Sequence, residues 1–250
     1  MKCKGIAAWL AISCLAGCGV NWNAAIDSTY TYRDSDRYSA MPESGLSFLN
    51  IATINLSWIS GNIRLVEADQ GATVTETSTD MPMYYMVDGN VLNLHFVKSG
   101  TSHKKYETLN KDVRIVVPKT LKALNINTVA GSIEAAKLNV GTFDIDSVSA
   151  NIVMGNVTAN YIDFDTVSGE CSLNTLTSVT GVFSADLDTV SGDFSVGLLQ
   201  ENGYSVSFNT VSGKFSSEYD NALSYGEMKA RVSFDSVSGN FTIKKRNLDY

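Results

Sequence analysis

A seven-residue motif centred on Val-Ser-Gly recurs through the second half of this 250-residue chain and constrains its fold more than any other feature. Six copies are clear: NTVAGSI at 127–133, DSVSANI at 146–152, DTVSGEC at 165–171, DTVSGDF at 188–194, NTVSGKF at 209–215 and DSVSGNF at 235–241. A weaker copy, SWISGNI, lies upstream at 57–63. The valines of the six copies are spaced by 19, 19, 23, 21 and 26 residues. Such a period is typical of repeat proteins whose units stack on their neighbours.

Each copy combines two short β-strands with a corner between them. The residues before the motif (LNIN, FDID, IDFD, ADLD, VSFN and VSFD) alternate apolar with polar side chains, which indicates one buried and one wet face. Continuing that alternation from Phe208 would bury Ser212 and Lys214 and expose Phe215. We therefore expect a one-residue shift at Val-Ser-Gly, where glycine forms the corner and valine fills it.

The pattern predicts an all-β, right-handed β-solenoid, single-stranded and β-helix-like, built from repeats of roughly 19–26 residues. Successive rungs would lie about 4.8 Å apart. The interior is predicted to include Val190, Phe194, Phe208 and Phe215. A β-sandwich is the alternative, because turns every 8–12 residues or so are also typical of that fold.

The chain before the repeats is also predicted to be β-structure from Leu46 onward. Alternating segments flank Asp88-Gly89, a dipeptide typical of β-hairpins. The stretch Lys98–Lys111, which includes His103, is the one basic region, and we interpret it as a solvated loop, with an anion site as the alternative.

The N-terminus predicts export and lipid anchoring. Residues 1–17 combine an early positive charge with a short apolar run, as in signal peptides. Leu15-Ala16-Gly17-Cys18 resembles the lipobox of bacterial lipoproteins, in which the cysteine carries the lipid. Gly19, in place of aspartate, favours the outer membrane over the inner one by the same resemblance. Residues 18–45 are predicted to be a lipid-anchored tether, and its aromatic residues would contact the membrane or cap the first coil: Trp22, Tyr30, Tyr32 and Tyr38.

Charge and cysteine content exclude several classes of function. The chain has 19 Lys and Arg against 26 Asp and Glu, a formal charge of −7. Removal of Lys2 and Lys4 with the signal leaves 17 against 26, or −9, so nucleic acid is not an expected partner. Cys171 takes the motif position held by Phe194 in another copy, which indicates a small buried hydrophobic residue and not a nucleophile.

Three segments together resemble the bacterial adhesin-like β-strand-repeat domain, a domain of unknown function: SGNIRL at 60–65, DGNVLNL at 88–94 and VRIVVPKTLKALNINTVAGSI at 113–133. The later repeats extend this resemblance over 46–250, which we take as the folded domain. The resemblance implies a β-helix-like fold at the cell surface or in the periplasm, and it brings no catalytic residues with it.

A polar column is predicted one position before the Thr or Ser of each motif: Asn127, Asp146, Asp165, Asp188, Asn209 and Asp235. Stacked carboxylates repel by about 1 kcal/mol per pair in water, so their repulsion must be offset. Asx-type turns at each corner are one explanation, and a cation such as calcium is the other. The adjacent column of Thr128, Ser147, Thr166, Thr189, Thr210 and Ser236 is interpreted as a structural hydroxyl ladder.

The sequence offers little for catalysis. Neither His95 nor His103 lies near a nucleophile motif, and no phosphate-binding glycine loop is present. We therefore predict a non-enzymatic envelope protein with no cofactor, no metal site and no catalytic residue, which binds a surface glycan or an envelope protein. The alternative is a carbohydrate-active β-helix enzyme, a lyase or hydrolase.

The end of the last copy carries three adjacent cations, Lys244, Lys245 and Arg246. We interpret them as a guard on an open strand edge, because charge on a final rung discourages end-to-end addition. A contact with anionic lipid or acidic glycan is the alternative.

Overall fold

The computed structural model describes residues 29–78, 80–178 and 180–246, and within them the chain is all-β. The predicted signal peptide and the lipobox residues Leu15, Ala16, Gly17 and Cys18 lie outside the described residues. The strands are β1 (Thr29–Tyr30), β2 (Ser39–Ala40), β3 (Leu46–Phe48), β4 (Thr53–Trp58), β5 (Asn62–Ala68), β6 (Ala72–Glu76), β7 (Tyr84–Asp88), β8 (Val91–His95), β9 (Thr101–Ser102), β10 (Val113–Pro118), β11 (Ala123–Asn139), β12 (Thr142–Thr158), β13 (Tyr161–Thr166), β14 (Glu170–Thr177), β15 (Phe183–Thr189), β16 (Asp193–Leu199), β17 (Tyr204–Thr210), β18 (Phe215–Ser217), β19 (Ser224–Tyr225), β20 (Ala230–Ser236) and β21 (Phe241–Arg246). A four-residue helix, α1 (His103–Tyr106), and two 3-10 turns (Ser35–Arg37 and Gln200–Asn202) complete the described elements.

The strands form a stack of eight rungs held together by parallel pairing. In spatial order the rungs are β8 with β10, β4 with β5, β11, β12, β13 with β14, β15 with β16, β20 with β21, and β17 with β18. We number them rungs 1 to 8. Rungs 2 to 8 bend at the motif, and in rung 1 residues 96–112 connect the two strands. The first half of each rung lies in what we call the first sheet, and the second half lies in the second sheet. This continuous parallel pairing is a β-solenoid-like arrangement and excludes the β-sandwich alternative, whose strands pair antiparallel.

The two rungs at each end of the stack are exchanged relative to chain order. Strand β15 pairs with β20 and not with β17, so the last repeat is inserted between the two that precede it. At the other end, β4 lies between β8 and β11, although β8 follows β4 in the chain. The weak copy at 57–63 therefore stacks directly on the copy at 127–133, as its sequence predicts.

The corner of each motif is built differently from the sequence-based prediction. The Thr or Ser points inward, with Ser147 and Thr166 almost fully buried, whereas Val211 is 82% exposed. The predicted one-residue shift is present, but the valine does not fill the corner and Val190 is only half-buried. A threonine hydroxyl holds the corner instead, since Thr189 Oγ1 accepts the Gly192 amide at 2.8 Å.

In rungs 5 to 8 the corner requires glycine because successive rungs approach each other closely there, whereas rung 4 has Ala150 at this position. A Cβ atom on Gly192 would collide with the carbonyl oxygen of Gly169, and one on Gly239 with that of Gly192. A Cβ atom on Gly213 would in turn collide with the carbonyl of Gly239. This column of contacts follows the same exchanged order of rungs. Gly169 also has a φ of 125°, a conformation that other residues rarely adopt.

The interior is a column of apolar side chains from both sheets. Phe194 is 2% exposed, and Cys171, its partner in the adjacent rung, is 3% exposed, which confirms the prediction that this cysteine is a buried hydrophobic residue. Burial raises the pKa of the Cys171 thiol well above its usual value. Phe208 and Phe215 pack on the core but are only partly buried, because their rung is the last one.

Residues 29–45 belong to the folded body rather than to a tether. Tyr30 is 1% exposed, β1 pairs with β9, and β2 pairs with β7. The Tyr32 ring stacks on His95 with 3.8 Å between ring centroids. The described tyrosines thus cap rung 1, which was one of the two predicted roles for them. The tether stays a prediction for residues 18–28.

Lys244–Arg246 lie in rung 7 and not in the final rung, where the sequence places them. Strand β18 pairs with β21 only as far as Ile243, so no described strand covers these three cations on their rung 8 side, and their role as an edge guard stays a prediction. Arg246 reaches back across the second sheet, where its Nε donates to the Asn174 carbonyl at 2.8 Å.

The predicted hairpin at Asp88-Gly89 is confirmed, with β7 and β8 joined through Gly89.

Candidate functional site: the aspartate face

Two adjacent columns of polar side chains cover the outer face of the first sheet. One column runs through Asn93, Asn55, Asn125, Asp144, Asp163, Asp186, Ser233 and Ser207. The other is the predicted Asp and Asn column, extended by Ser57 and His95 at rungs 2 and 1. We call the six aspartates of rungs 4 to 6 the aspartate face: Asp144, Asp146, Asp163, Asp165, Asp186 and Asp188.

The predicted column is confirmed in register, but it runs in the exchanged order. Asn127 pairs with Asp146, Asp146 with Asp165, and Asp165 with Asp188. Asp235 then follows Asp188, and Asn209 is last. The second column of aspartates was not singled out in the sequence, although it occupies the i−2 position in FDID, IDFD and ADLD and could have been found by the same alternation.

At rungs 1 to 3 the face is an amide ladder. Asn125 Nδ2 donates to Asn55 Oδ1 at 2.7 Å, and Asn55 Nδ2 donates to Asn93 Oδ1 at 2.8 Å. Asn55 in the middle both accepts and donates along the stack, because an amide carries both kinds of group and repetition can therefore satisfy it. A carboxylate ladder has only acceptors when ionised, and the same repetition at rungs 4 to 6 brings like charges together.

Burial and this repulsion both raise the pKa of aspartates on the face. Burial, and then the neighbouring carboxylates of Asp188 and Asp163, raise the pKa of Asp165 to about 7. Burial, followed by Asp146 and Asp163, raises the pKa of Asp144 to about 6. The pKa of Asp165 thus lies near neutral pH, so the face carries less charge there than six ionised aspartates would.

Tyr161 supplies a donor at the edge of the face. Its hydroxyl lies 3.1 Å from Asp163 Oδ2 and 3.0 Å from Asp186 Oδ2, so it connects carboxyls of two rungs. Partial burial and these two aspartates raise the pKa of the Tyr161 phenol, which keeps it protonated as a donor. Oδ1 of Asp165 is buried and has no hydrogen-bond partner within the described residues.

Neither explanation offered for the column from the sequence is supported by this geometry. Hydroxyl groups of Thr189 and Thr210, not the aspartates before them, accept the corner amides of Gly192 and Gly213. Within residues 29–246 as described, no group of three or more His, Cys, Asp or Glu side chains could hold a metal ion. The hydroxyl ladder itself is confirmed, with Ser147 Oγ 2.9 Å from Thr166 Oγ1.

Asp165→Asn is expected to stabilise the protein in a pH-dependent way. A folded-state pKa raised above the unfolded value favours the fold below pH 4 or so, and this contribution is lost as the pH rises through about 7. At alkaline pH we expect the free energy of unfolding of the variant to exceed that of the wild type by about 1–2 kcal/mol, after allowance for solvent screening. In acid we expect no difference. Urea unfolding at both pH values measures this. An equal effect in acid and in alkali would mean that the pKa of Asp165 is not raised in the folded state.

A groove of about 630 Å³ lies on the second sheet, away from the aspartate face. It opens because β5 pairs with β11 only as far as Leu65, whereas its pairing with β10 continues to Ala68. Two ion pairs line it: Arg64 with Glu134 at 3.8 Å and Lys137 with Glu67 at 3.4 Å. The side chains that bear charge in this groove are thus already paired with one another.

The two histidines do not form a site with the aspartates. Burial lowers the pKa of His95 to about 4, and its ring is enclosed by tyrosines at rung 1. His103 lies at the surface in α1, 3.3 Å from Glu107.

The basic stretch 98–111 is only partly the solvated loop that the sequence predicts. Lys98, Lys104 and Lys105 are exposed, but Lys111 is 1% exposed. Its Nζ donates to Glu76 Oε2 at 2.6 Å and lies over the rings of Trp58 and Phe96, at 5.0 and 4.7 Å from their centroids. Burial lowers the pKa of Lys111, and the bond to Glu76 opposes that shift. Sequence reasoning missed this pair because its two members are 35 residues apart.

No helix in the described parts of the chain is long and apolar enough to cross a membrane.

Comparison with known proteins returned distant structural relatives. A candidate cell adhesion protein from Clostridium sporogenes is 13% identical, with a TM-score of 0.48, covering 84% of this chain and 98% of its own. A candidate adhesin from Parabacteroides distasonis is 15% identical, with a TM-score of 0.35, covering 83% and 97% respectively. No curated protein matches. The model of the Toastrack DUF4097 family matches residues 46–249, and the chain therefore belongs to this family of β-strand-repeat domains of unknown function.

Proposed function

We propose that this chain is a lipid-anchored cell-envelope protein that acts as a non-enzymatic, adhesin-like binding or scaffold module. The observation that carries the proposal is the outer face of the first sheet, where polar side chains repeat from rung to rung along the whole stack. Groups that recur about every 4.8 Å on a rigid sheet suit an extended, repetitive partner. A surface glycan or an envelope protein is such a partner, and nucleic acid is not, because the chain is acidic.

The position of the N-terminal strand is consistent with anchoring by one end. Strand β1 lies beside rung 1, where Tyr30 Oη contacts His95 Nδ1 at 3.2 Å. A lipid on Cys18, placed by the lipobox Leu15-Ala16-Gly17, would thus hold the stack by its rung 1 end, with residues 18–28 as the tether. We place the anchor in the outer membrane, and we infer a right-handed coil from the general rule for parallel crossovers.

Neutralising the aspartate face tests the binding function. We expect Asp144→Asn, Asp163→Asn and Asp186→Asn together to reduce retention of the full-length protein on isolated envelope fractions by about tenfold or more. The matched control neutralises three exposed carboxylates of the second sheet, with Glu134→Gln, Glu170→Gln and Asp193→Asn. Equal retention of wild type and both triple variants would show that the aspartate face is not the binding surface.

Cys18→Ser tests the anchor independently of binding. We expect the variant to lose labelling by a radioactive or clickable fatty acid and to leave the membrane fraction, because no acyl chain remains to contribute its roughly 0.8 kcal/mol per buried methylene. A serine variant that still carries lipid and sediments with membranes would refute lipidation at this residue.

A carbohydrate-active enzyme is the second candidate, and one observation favours it. The pKa of Asp165 is raised to about 7 beside other carboxyls, and a glycosidase needs a protonated acid near a second carboxylate. Under this alternative the wild-type protein releases reducing sugar from envelope polysaccharide and Asp165→Asn does not. No release by the wild type would leave the binding module as the function.

A further inference from the structure

The rung 8 end of the stack is open, whereas the rung 1 end is closed. At rung 1 every residue of β8 pairs with β7, and β6 covers β10 from Val113 to Val116. At rung 8 only Tyr204 and Ser205 of β17 are covered, by the two-residue strand β19. Among the strands that the structure describes, none pairs with the outer edge of β17 beyond Ser205 or with that of β18. At this end of the stack β17 therefore offers an edge, from Ser207 to Thr210, with which no described strand pairs.

The backbone groups on this edge can be assigned from the hydrogen bonds that are made. The Val206 amide points away from β20, because it donates to the Leu223 carbonyl at 2.7 Å. Alternate residues of a strand direct their amide and carbonyl to the same side, so those of Phe208 and Thr210 also point outward. In β18 the Lys214 carbonyl faces β21, where it accepts the Phe241 amide, and this places the backbone groups of Phe215 on the outer edge.

Apolar surface accompanies these free backbone groups. The rings of Phe208 and Phe215 lie 5.7 Å apart and continue a stack formed with Phe234 and Phe241, but both residues of rung 8 are only partly buried. Val211, at the corner between them, is 82% exposed. The other half of this end is plugged by Tyr204 and Tyr219, so the apolar opening is confined to the motif corner.

The charges that protect edge strands elsewhere are missing from this edge. Ser207 and Asn209 are the exposed outward side chains of β17, where rungs 4 to 6 carry aspartates in the same columns. Natural sheets usually place lysine, proline or a bulge on an edge to prevent pairing. The cations at Lys244–Arg246 lie in rung 7 and pair with β16 instead. The edge of β17 is thus uncharged, regular and partly apolar.

We propose that rung 8 is a homodimer interface, in which β17 pairs antiparallel with β17 of a second copy across a two-fold axis. A strand can pair with its own copy only in the antiparallel sense, and Ser207 and Asn209 bring no charge to oppose one another across such an axis. A two-fold interface is closed, because each copy uses its β17 edge once, so the association stops at two copies. The proposal does not depend on the binding function or on the lipid anchor.

Sedimentation velocity of the full-length chain over a roughly hundredfold dilution series tests the interface. The wild type is expected to be dimeric at the upper concentrations. Ser207→Lys with Asn209→Lys is expected to raise the dimer dissociation constant at least about a hundredfold, because like charges would then face each other across the axis. Ser184→Lys with Ser233→Lys places the same charges on the same face in rungs 6 and 7, and this control should leave the dimer intact. A monomeric wild type, or a dimer that survives the edge lysines, would overturn the proposal.

Hydrogen exchange of the wild type gives a second readout that needs no variant. The amides of Phe208 and Thr210 should exchange more slowly as the concentration rises, while those of β13 in the centre of the stack should not change. Slow exchange that is independent of concentration would mean that another part of this same chain covers the edge, and fast exchange at all concentrations would mean that nothing does. Either result would overturn the homodimer.

Discussion

Glu76→Gln is expected to lower the free energy of unfolding by about 3–5 kcal/mol, because it leaves the buried Lys111 ammonium without a counter-charge. The side chains of Lys111 and Glu76 are 0% and 5% exposed, and among the described residues the Met81 carbonyl, at 2.9 Å, is the one further acceptor of the ammonium. The rings of Trp58 and Phe96 favour the cation but do not replace the carboxylate. Urea unfolding of the full chain measures the loss.

Two further variants separate burial from pairing as the cause. Lys119 and Asp69 also lie 2.6 Å apart but are largely exposed, so Asp69→Asn should change stability little. Replacing both buried members, with Glu76→Gln and Lys111→Met, should recover most of the loss, since no buried charge then remains. Equal effects at the buried and the exposed pair would mean that Lys111 is hydrated in solution.

Phe194→Ala is expected to cost about 3–5 kcal/mol, because the cavity it leaves lies inside a continuous column of side chains and cannot collapse. Phe194 is 2% exposed and packs edge-on against Phe234, with ring centroids 5.6 Å apart. It also lies between Cys171 and Phe241 in adjacent rungs. Thermal or urea unfolding measures the cost.

Asp193, the residue next to Phe194, provides the matched control. Its side chain is on the outer face and accepts hydrogen bonds from the backbone amide and the side-chain amide of Asn240, at 2.8 and 3.0 Å. Asp193→Ala should therefore cost no more than about 1 kcal/mol. A cost at Asp193 that matches the one at Phe194 would show that the inside and the outside of β16 are assigned wrongly.

The repeated motif was sufficient to predict the β-class, the stacking and the register of the polar column, because each of these follows from local alternation. The order of the rungs was not predictable in the same way. The strands before Val190, Val211 and Val237 have nearly the same pattern, so any two of them can pair equally well. The connection 218–229 accompanies the exchange, and its Tyr219 fills the end of the core.

The corner shows why apolar character alone misled the prediction. Valine is more hydrophobic than threonine, so the sequence predicts that valine fills the corner. The corner needs an acceptor for a buried amide, and a threonine side chain supplies one at Thr189 and at Thr210, which leaves no room for the valine. The hydrogen bond that the buried corner amide requires thus outweighs the free energy that would be gained by burying one more apolar side chain.

Contacts distant in sequence account for the remaining differences. The segment 29–45 has no apolar period of its own, and it folds because Tyr30 and Tyr32 pack against His95 of a strand more than 60 residues away. Lys111 is buried for a similar reason, by residues of three separate strands or loops. The aspartate face, in contrast, required only the register, which the motif supplied.

Disulfide trapping tests most directly the exchanged order of the rungs, on which the open end of the stack depends. In the structure Asp186 of β15 pairs in register with Ser233 of β20, and Ser207 of β17 lies one rung beyond Ser233. Adjacent strands lie about 4.8 Å apart, which a disulfide can span, and two rungs are too far. Asp186→Cys with Ser233→Cys should therefore cross-link on mild oxidation, and Asp186→Cys with Ser207→Cys should not. Cross-linking of 186 to 207 without cross-linking of 186 to 233 would mean that the rungs follow chain order and would contradict the account.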